Sequence, residues 1–465
     1  MELLWSSMKA LLVLSTLLFS SSAYTSNVVK ILPGFDGPLP FHLETGYIAV
    51  EEDNDVQLFY YFIKSDRSPK EDPLIVWITG GPYCSSFTAL AFEIGPLRFD
   101  VKEYKGELPT LVAHPYSWTK VSNALFIDTP VWTGFSYSKS STNKADGDII
   151  SSKRVSTFVK KWLEENPKFK TNPLYIGGDS YSGKVVPVIT HELMKDIEDG
   201  RAKHLNLKGY VAGNPLTSVK IDFNAIFPYA HRMGFISDEL YKSAKKRCRG
   251  QYLEPMNAQC VEDVKAMEIL ISGIDARNIL EKKCVDDYYD FQNHATHRRS
   301  LVMDSQMIFS PPPSNLTLDC RSYRFMLSYF WANNEIVREA LHVKKGTIKE
   351  WIRCNKQPNY VSDIPSSLPF HFDITTRGYR ALMYSGDHDM TIPYLGTQEA
   401  IKSLNFPVID QWRPFTIDGQ VAGFTISYAN NLTFALVKGG GHTSPEMRPK
   451  ECHAMFERWI SFKPL

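Results

Sequence analysis

Five short apolar runs have the pattern of strands that are buried on both faces of a sheet. Each run ends in or next to Gly, Asp, Asn or Pro, as strands that feed functional loops in an open α/β sheet commonly do. The runs are Leu74–Thr79, Ala124–Asp128, Leu174–Gly177, Leu207–Gly213 and Ala381–Ser385.

A helix is predicted after Ser180, because apolar residues recur there at every fourth position, at Val185, Ile189, Leu193 and Ile197. Such a stripe packs on a sheet. Pro187 falls within the pattern, and we expect the helix to begin late enough to place the proline in its first turn. The alternation of strands and helices predicts an α/β fold with a mostly parallel central sheet.

The middle of the chain differs from both ends. From about residue 229 to residue 370 it is rich in charge, holds five of the seven cysteines and has no strong buried strand. We therefore expect residues 24–228 and 371–465 to form one α/β core, and residues 229–370 to form an inserted, mainly helical cap lobe with disulfides. The basic stretch "HATHRRSLVMDSQ", residues 294–306, is either a site of proteolytic nicking into two disulfide-linked chains or an uncut surface loop.

The N-terminus, residues 1–23, reads as a secretory signal. Lys9 precedes an apolar run, and Ser21-Ser22-Ala23 supplies small residues for cleavage. The alternative is a buried N-terminal helix. Asn315 and Asn431 begin glycosylation sequons, which also fit the secretory pathway.

Composition excludes some classes of partner. The chain has 52 basic and 51 acidic residues, so charge gives no reason to expect nucleic acid or an anionic membrane as a partner. No His-x-x-x-His or paired-cysteine spacing indicates a metal, and no cofactor is predicted.

Ser180 is the candidate nucleophile, because it follows an apolar strand and precedes the predicted helix, as in a nucleophile elbow. Gly178 lies two residues before it and Gly183 three residues after it, but Ser182 takes a place that is usually glycine. Alone, this broken pattern is weak evidence.

Two later loops supply a base and an acid. His442 lies in the glycine-rich "KGGGHTSPEMRP", and Asp387 directly follows the apolar run that ends at Ser385-Gly386. The order Ser180, Asp387, His442 is that of α/β-hydrolases. Asp389 competes for the acid role but lies two residues further from the strand end.

An acyl-transfer site also needs N–H donors for the oxyanion. The N–H of Tyr181, directly after the nucleophile, is one candidate. Gly81 in "ITGGPYCSS" is the other, since a glycine-rich loop after an early strand commonly supplies the second donor. The alternative for that loop is a plain Gly-Gly-Pro turn.

Together these motifs resemble the serine carboxypeptidase family of α/β-hydrolases, in particular its plant acyltransferase branch. The likeness covers nearly the whole mature chain and includes "FIDTPVWTGFSYS", "GYVAGNP" and "YSGDHDMTIP". It implies an α/β-hydrolase fold, a triad of Ser180, Asp387 and His442, and oxyanion donors at Gly81 and Tyr181. It also implies the disulfides Cys84–Cys354, Cys248–Cys260 and Cys284–Cys320, with Cys452 free.

The resemblance further implies a substrate site that includes Thr79, Gly80 and Asp179. Peptidases of the family usually have Asn and Glu where this chain has Thr79 and Asp179, and use them to bind a peptide carboxylate. Thr and Asp are similar to the acyltransferases, which move hydroxycinnamoyl or benzoyl groups from 1-O-β-glucose esters to alcohols or amines. The vacuole or the extracellular space is the destination that the resemblance implies. The alternative for Asp179 is a capping carboxylate for the following helix.

Tyr83 and Trp132 stand where the family generally has glycine. Their rings either form a stacking wall for an aromatic acyl group, fill the pocket, or distort the loop that carries Gly81. Two other functions therefore stay open beside acyl transfer: a carboxypeptidase of altered specificity, and a non-catalytic binding protein.

Overall fold

A twelve-stranded mixed sheet forms the centre of the structure, a computed structural model that describes residues 27–140, 146–284, 316–355 and 360–465. The strand order is β1-β2-β3-β7-β4-β10-β11-β13-β16-β15-β14, and β8 also pairs with β3. These strands are β1 (Asn27–Val29), β2 (Leu43–Ala49), β3 (Val56–Ile63), β4 (Leu74–Ile78), β7 (Asn123–Ile127), β8 (Tyr137–Ser138), β10 (Leu174–Asp179), β11 (Leu207–Gly213), β13 (Arg380–Gly386), β14 (Val408–Ile417), β15 (Gln420–Tyr428) and β16 (Leu432–Val437).

The six strands from β7 to β16 in this order are parallel to one another, and both edges of the sheet are antiparallel. The five predicted strands are confirmed as β4, β7, β10, β11 and β13, all in the parallel part. Two small sheets lie outside: β5 (Leu97–Phe99) with β6 (Leu111–Ala113), and β9 (Asp146–Gly147) with β12 (Tyr360–Val361).

The helices, numbered along the described chain, are α1 (Asp148–Glu165), α2 (Ser182–Glu198), α3 (Val219–Asn224), α4 (Ile226–Arg232), α5 (Asp238–Cys248), α6 (Ala258–Ile271), α7 (Arg321–Ala332), α8 (Glu335–Ala340), α9 (Leu368–Thr376), α10 (Tyr394–Ser403), α11 (Ser444–Met447) and α12 (Pro449–Ile460).

The central strands are mostly apolar because the sheet is covered on both faces. Along β4, Ile75 and Trp77 point into one core, whereas Val76 points into the other. Helix α12 packs on the first face through residues such as Phe456, and helices α1 and α2 pack on the second. This alternation places both faces of every central strand out of water.

The helix after Ser180 differs from the prediction at Pro187. Helix α2 already begins at Ser182, so the proline lies inside it rather than in its first turn. Because proline has no N–H, the carbonyl of Gly183 loses its helical donor. The hydroxyl of Ser367 donates to that carbonyl at 3.0 Å and replaces the missing bond.

The described residues of the predicted lobe are mainly helical, from α4 to α9, and build a small core of their own around Tyr229, Val264 and Met267. The structure contains the disulfides Cys248–Cys260 and Cys284–Cys320, and Cys84–Cys354 joins the Gly-Gly-Pro loop to the segment beyond α8. These are the three pairings that the resemblance implied. Cys452 is free and fully buried in α12.

Several sequence predictions lie outside the described residues: the signal segment, the candidate nicking stretch and the Asn315 sequon. Asn431 is described; it lies exposed in the turn between β15 and β16, and its Nδ2 donates to the Gly378 carbonyl at 3.1 Å. Within the described ranges, no helix combines the length and the apolar character that crossing a membrane requires.

Candidate active site

Ser180 lies at the sharp turn between β10 and α2. Its φ of 56° is in the left-handed region, which a non-glycine residue rarely adopts and which is typical of strained turns at functional sites. The turn points the side chain at His442, and Ser180 Oγ lies 2.7 Å from His442 Nε2. The structure therefore brings together the predicted nucleophile and base.

The turn needs its small neighbours for space. A Cβ at Gly178 would lie 2.4 Å from the carbonyl oxygen of Ile78, and one at Gly183 would lie 2.5 Å from Cβ of Pro215. Both distances are shorter than any real contact, so the glycines let the elbow pack against β4 and the loop after β11.

The prediction that Asp387 is the acid that pairs with His442 is wrong. His442 Nδ1 lies 2.9 Å from Asp389 Oδ2, and Asp389 is fully buried. The backbone N–H groups of Thr391 and Ile392 donate to Asp389 Oδ1, at 2.8 and 3.1 Å. Asp389 thus completes a Ser–His–Asp arrangement with a carboxylate whose two oxygens both have donors.

Asp387 does not pair with His442, because its carboxylate is bound by the loop that follows β16. Strand β13 continues to Gly386, so Asp387 is still at the sheet edge. Its carboxylate accepts the Gly439 N–H at 2.6 Å, and burial raises its pKa. Two more residues of loop are needed to reach His442. The missed signal is local: an Asp whose side chain caps the next two or three N–H groups is a common turn.

The charge of Asp389 acts on the base. Burial by itself lowers the pKa of His442, but the charge and hydrogen bond of Asp389 outweigh burial, and the pKa is raised above its ordinary value. The ring is also close to the negative Asp179 and the positive Arg277. An imidazolium formed when His442 accepts a proton is therefore stabilised in place.

The Gly-Gly-Pro loop lies directly against the nucleophile. A Cβ at Gly80 would lie 2.7 Å from Ser180 Cβ and 3.0 Å from the nitrogen of Tyr181. Gly81 has a φ of 133°, and a Cβ there would lie 2.2 Å from the nitrogen of Tyr83. Gly80 therefore lies against Ser180 and the nitrogen of Tyr181, one predicted oxyanion donor, and the other, Gly81, is the next residue in the loop and has a backbone that requires glycine.

Asp179 and Thr79 lie at the ends of β10 and β4. The Gly80 N–H donates to Asp179 Oδ1 at 3.2 Å, so this carboxylate is hydrogen-bonded to the Gly-Gly-Pro loop, called the oxyanion loop below. Burial raises the pKa of Asp179 to about 6, although the nearby His442 charge and the Gly80 N–H oppose the rise. Within the described chain, the buried Thr79 hydroxyl has no hydrogen-bond partner.

Sequence reasoning missed two further charged groups, Glu93 and Arg353. Burial, and then the charge of Asp179, raises the pKa of Glu93 well above its ordinary value. Burial also lowers the pKa of Arg353 to about 10, and its guanidinium lies 3.9 Å from the centre of the Phe325 ring. A lone acid in the apolar run "FTALAFEIG" was a usable signal for Glu93; nothing local marks Arg353.

The two residues that replace glycines occupy different backbone conformations. Trp132 has a φ of 69°, in the left-handed region, whereas Tyr83 has no such strain. The Tyr83 ring is buried and meets the Tyr360 ring edge-on at 5.1 Å. Tyr360 in turn lies 6.3 Å from the Tyr181 ring. Tyr83 therefore belongs to an aromatic group next to the nucleophile turn, and Gly81 keeps its positive φ beside it.

A buried polar cluster supports this aromatic group. Lys184 Nζ lies 2.9 Å from Asp148 Oδ2, and neither side chain is exposed to solvent. The hydroxyls of Tyr181 and Tyr360 donate to Asp148 Oδ1 at 2.7 and 2.8 Å. Lys184 also donates to the hydroxyl of Ser362 at 2.6 Å. The cluster fixes the side chain that directly follows the nucleophile.

The lobe contacts the loops that carry the acid and the base. The carbonyl of Ala276 accepts the N–H groups of Met390 and Thr391, at 2.8 and 3.0 Å. The neighbouring carbonyl of Arg277 accepts the His442 N–H at 2.6 Å. One short lobe segment thus holds both loops through main-chain bonds, which no side-chain pattern could have predicted.

One group of carboxylates in the described ranges has a spacing that fits a cation. Oxygens of Glu51, Asp53 and Asp55 lie within 4.8 Å of one another. All three already accept hydrogen bonds: Glu51 from Arg154 at 2.7 Å, Asp53 from the Asp55 N–H at 2.9 Å, and Asp55 from the Ser138 hydroxyl at 2.8 Å. This group lies outside the Ser–His–Asp arrangement.

Comparison with known proteins shows which family this chain resembles. A family model described as serine carboxypeptidase matches residues 33–462. Serine carboxypeptidase-like 2 of Arabidopsis thaliana is 48% identical over 462 residues, with 98% of each chain covered, and serine carboxypeptidase-like 16 is 48% identical over 455 residues, with 97% of this chain and 98% of the relative covered.

Among solved structures, Kex1(Δ)p, a prohormone-processing carboxypeptidase from Saccharomyces cerevisiae, superposes with a TM-score of 0.70 at 21% identity and covers 96% of this chain and 97% of its own. This likeness confirms the α/β-hydrolase fold. The sequence match decides the family: the chain belongs to the serine carboxypeptidases and is an enzyme of that kind.

Proposed function

We propose that this enzyme is an acyltransferase that moves an acyl group, hydroxycinnamoyl or benzoyl, from a 1-O-β-glucose ester to an alcohol or amine. The observation that carries the proposal is the hydrogen bond of the Asp179 carboxylate. Its carboxylate is one methylene shorter than the Glu of the peptidases and accepts the Gly80 N–H, so it is directed at the oxyanion loop.

The first half-reaction forms an acyl-enzyme. Ser180 Oγ attacks the ester carbonyl while His442 Nε2, 2.7 Å away, takes the hydroxyl proton. The N–H groups of Gly81 and Tyr181 bind the oxyanion. The bond from the acyl carbon to the glucose oxygen then breaks, and His442 returns the proton to that oxygen.

The second half-reaction uses the same groups in reverse. An acceptor hydroxyl or amine replaces glucose, and His442 Nε2 takes its proton as its oxygen or nitrogen attacks the acyl carbon. When the bond to Ser180 breaks, the proton passes from His442 to Ser180 Oγ. Asp389 keeps the ring oriented in both halves and stabilises the imidazolium.

Thr79 and Asp179 favour an uncharged donor over a peptide. A threonine hydroxyl supplies one donor where an asparagine amide supplies two. Each unmade bond to a buried carboxylate costs about 1–3 kcal/mol, so losing two reduces peptide turnover by about two orders of magnitude or more.

Arg353 favours a second candidate function, a carboxypeptidase. Its Nε has no hydrogen-bond partner in the part of the chain that the structure describes. Its positive charge opposes the rise in the pKa of both Asp179 and Glu93. A buried guanidinium is well suited to bind a terminal carboxylate in two-point contact.

The deciding experiment is intact-mass analysis after separate incubation with a hydroxycinnamoyl glucose ester and with a blocked dipeptide. We expect an acyl adduct on Ser180 from the ester, and no adduct in Ser180→Ala. Dipeptide cleavage without reaction of the ester would replace the proposal with the carboxypeptidase function. The double variant Thr79→Asn, Asp179→Glu is expected to raise peptidase activity relative to acyl transfer.

A blocked, non-catalytic protein would react with neither substrate. In that event Tyr83→Gly and Trp132→Gly become informative, because a gain of activity would show that the rings fill the site. Passage through the secretory pathway, to the vacuole or the cell exterior, is part of the proposal, and the three disulfides are typical of an oxidising compartment.

A further inference from the structure

We propose that Asn214 is a positioning residue for the acid and the base, an inference that rests on the serine chemistry of the proposed function. Asn214 is the first residue after β11, in the "GYVAGNP" motif, and is 1% exposed. Strand β11 lies between β10, which leads to Ser180, and β13, which leads to Asp389. The residue is therefore central to the edge on which the triad is built.

The Asn214 amide bonds to both loops that complete the site. Its Nδ2 donates to Asp389 Oδ2 at 2.8 Å and to the Gly441 carbonyl at 3.1 Å. Its Oδ1 accepts the Ser444 hydroxyl at 3.0 Å. One side chain thus fixes the acid and the segment on either side of His442 relative to the same strand end.

The bond to Asp389 is placed where it affects the base. Asp389 Oδ2 is the oxygen that lies 2.9 Å from His442 Nδ1. The Asn214 N–H and the His442 N–H therefore share one acceptor atom, and each limits the rotation of the carboxylate for the other. Without Asn214, that oxygen keeps, among the described residues, only its hydrogen bond to His442, the one that has to be oriented during the reaction.

Asparagine suits this position in its backbone as well as its amide. The φ of Asn214 is 42°, in the left-handed region that asparagine tolerates better than other non-glycine residues. Glycine would accept the backbone but would supply neither donor nor acceptor. Left-handed backbone conformations at non-glycine residues persist mainly at functional sites. Such a conformation at Asn214, which contacts Asp389, supports a functional role for this residue.

The experiment measures phosphorylation of Ser180 by diisopropyl fluorophosphate, a probe that needs an activated serine but no glucose ester. Asn214→Leu removes both ends of the amide and keeps the number and branching of the side-chain heavy atoms. The maximal labelling rate is expected to fall by about 10- to 100-fold, with the half-saturating reagent concentration unchanged, because Asn214 acts through Asp389 and not on the reagent.

Asn172→Leu is the matched control, because Asn172 is also a buried asparagine, its Nδ2 donates to the Asp72 carbonyl at 2.7 Å, and it lies just before β10, at the opposite end of that strand from Ser180. We expect its labelling rate to stay within about threefold of wild type. A fold defect common to both variants would appear as equal losses in their melting temperatures, and labelling is compared only on folded protein.

Asn214→Asp keeps the inference testable if Asn214→Leu does not fold. A protonated Asp at position 214 donates to Asp389 as the amide does, whereas an ionised one repels it. His442 is bonded to Asp389, and the charges of Asp389, Asp179 and Arg277 act on His442 in turn. The labelling rate of this variant relative to wild type should therefore fall as pH rises from 4 to 9.

A constant ratio across that range, or full-rate labelling of folded Asn214→Leu, overturns the positioning role. If the probe labels the wild type but glucose esters do not react with it, only the acyltransferase function is overturned. Wild type that the probe does not label overturns both.

Discussion

Replacing Lys184 with methionine removes the cation of a fully buried ion pair. Lys184 and Asp148 are both 0% exposed, and their charged atoms lie 2.9 Å apart. Methionine keeps an unbranched side chain of similar length, so the change removes charge and hydrogen bonds more than packing.

The expected cost follows from what Asp148 retains. It still accepts from the Tyr181 and Tyr360 hydroxyls and from the Ile364 N–H, at 2.7, 2.8 and 2.9 Å. Breaking a buried ion pair by removing one partner costs about 3–5 kcal/mol, and the three remaining donors place this case at the lower end. Removing the charge from both, in Lys184→Met with Asp148→Asn, is expected to recover about half of the loss or more.

Urea unfolding, followed by circular dichroism and tryptophan fluorescence, measures both variants. Lys195→Met is the matched control: it lies on the same helix, and Lys195 and Glu198 form a pair that is 37% and 36% exposed, worth about 0–1 kcal/mol. If Lys184→Met loses no more stability than Lys195→Met, or if adding Asp148→Asn lowers stability further, the account of this cluster is refuted.

Three further predictions concern the site. Asp389→Asn should lower the rate of serine labelling by about 10⁴-fold, whereas Asp387→Asn should stay within about tenfold; equal losses would contradict the assignment of the acid. Burial raises the pKa of Asp179 from 3.8 to about 6, so ionising it opposes folding, and stability is lost as pH rises between these values. Asp179→Asn should therefore gain unfolding free energy over wild type from pH 4 to pH 6 in urea titrations, and parallel curves would argue against it. Gly81→Ala forces a Cβ to within 2.2 Å of the Tyr83 nitrogen and should slow labelling by about 10²-fold, whereas Gly37→Ala, at a φ of 74° with nothing within 4 Å, should change only stability.

The sequence was sufficient for the parts of the fold that local pattern decides. Strands such as β4 and β10 are apolar on both faces, and a run of that kind has few other uses in an α/β chain. The antiparallel edge of β14 and β15 was not predicted, because its strands are half exposed: β14 carries Ile409 at 68% and Trp412 at 41% exposure. Exposed positions leave no strong pattern.

The candidate site likewise contains residues that local sequence predicts and residues that only tertiary packing brings together. Ser180 and His442 were found because each follows a strand in a glycine-rich turn. Choosing Asp387 over Asp389 required the loop path, which depends on bonds between Asp387 and Gly439 and between Asp389 and Asn214. Glu93 and Arg353 reach the site only through tertiary packing, and the conformation of Pro187 depended on a hydroxyl 180 residues away in the sequence, at Ser367.

Cys452 gives the molecule an internal reporter. Six of the seven cysteines are in disulfides, and this remaining thiol is 0% exposed in the core beneath α12, where burial raises its pKa well above its ordinary value. A thiol reagent can react only in the moments when α12 separates from the sheet. Its rate of modification in the absence of reductant therefore counts those openings, and comparing that rate with global unfolding shows whether the C-terminal helix opens on its own or only with the whole core.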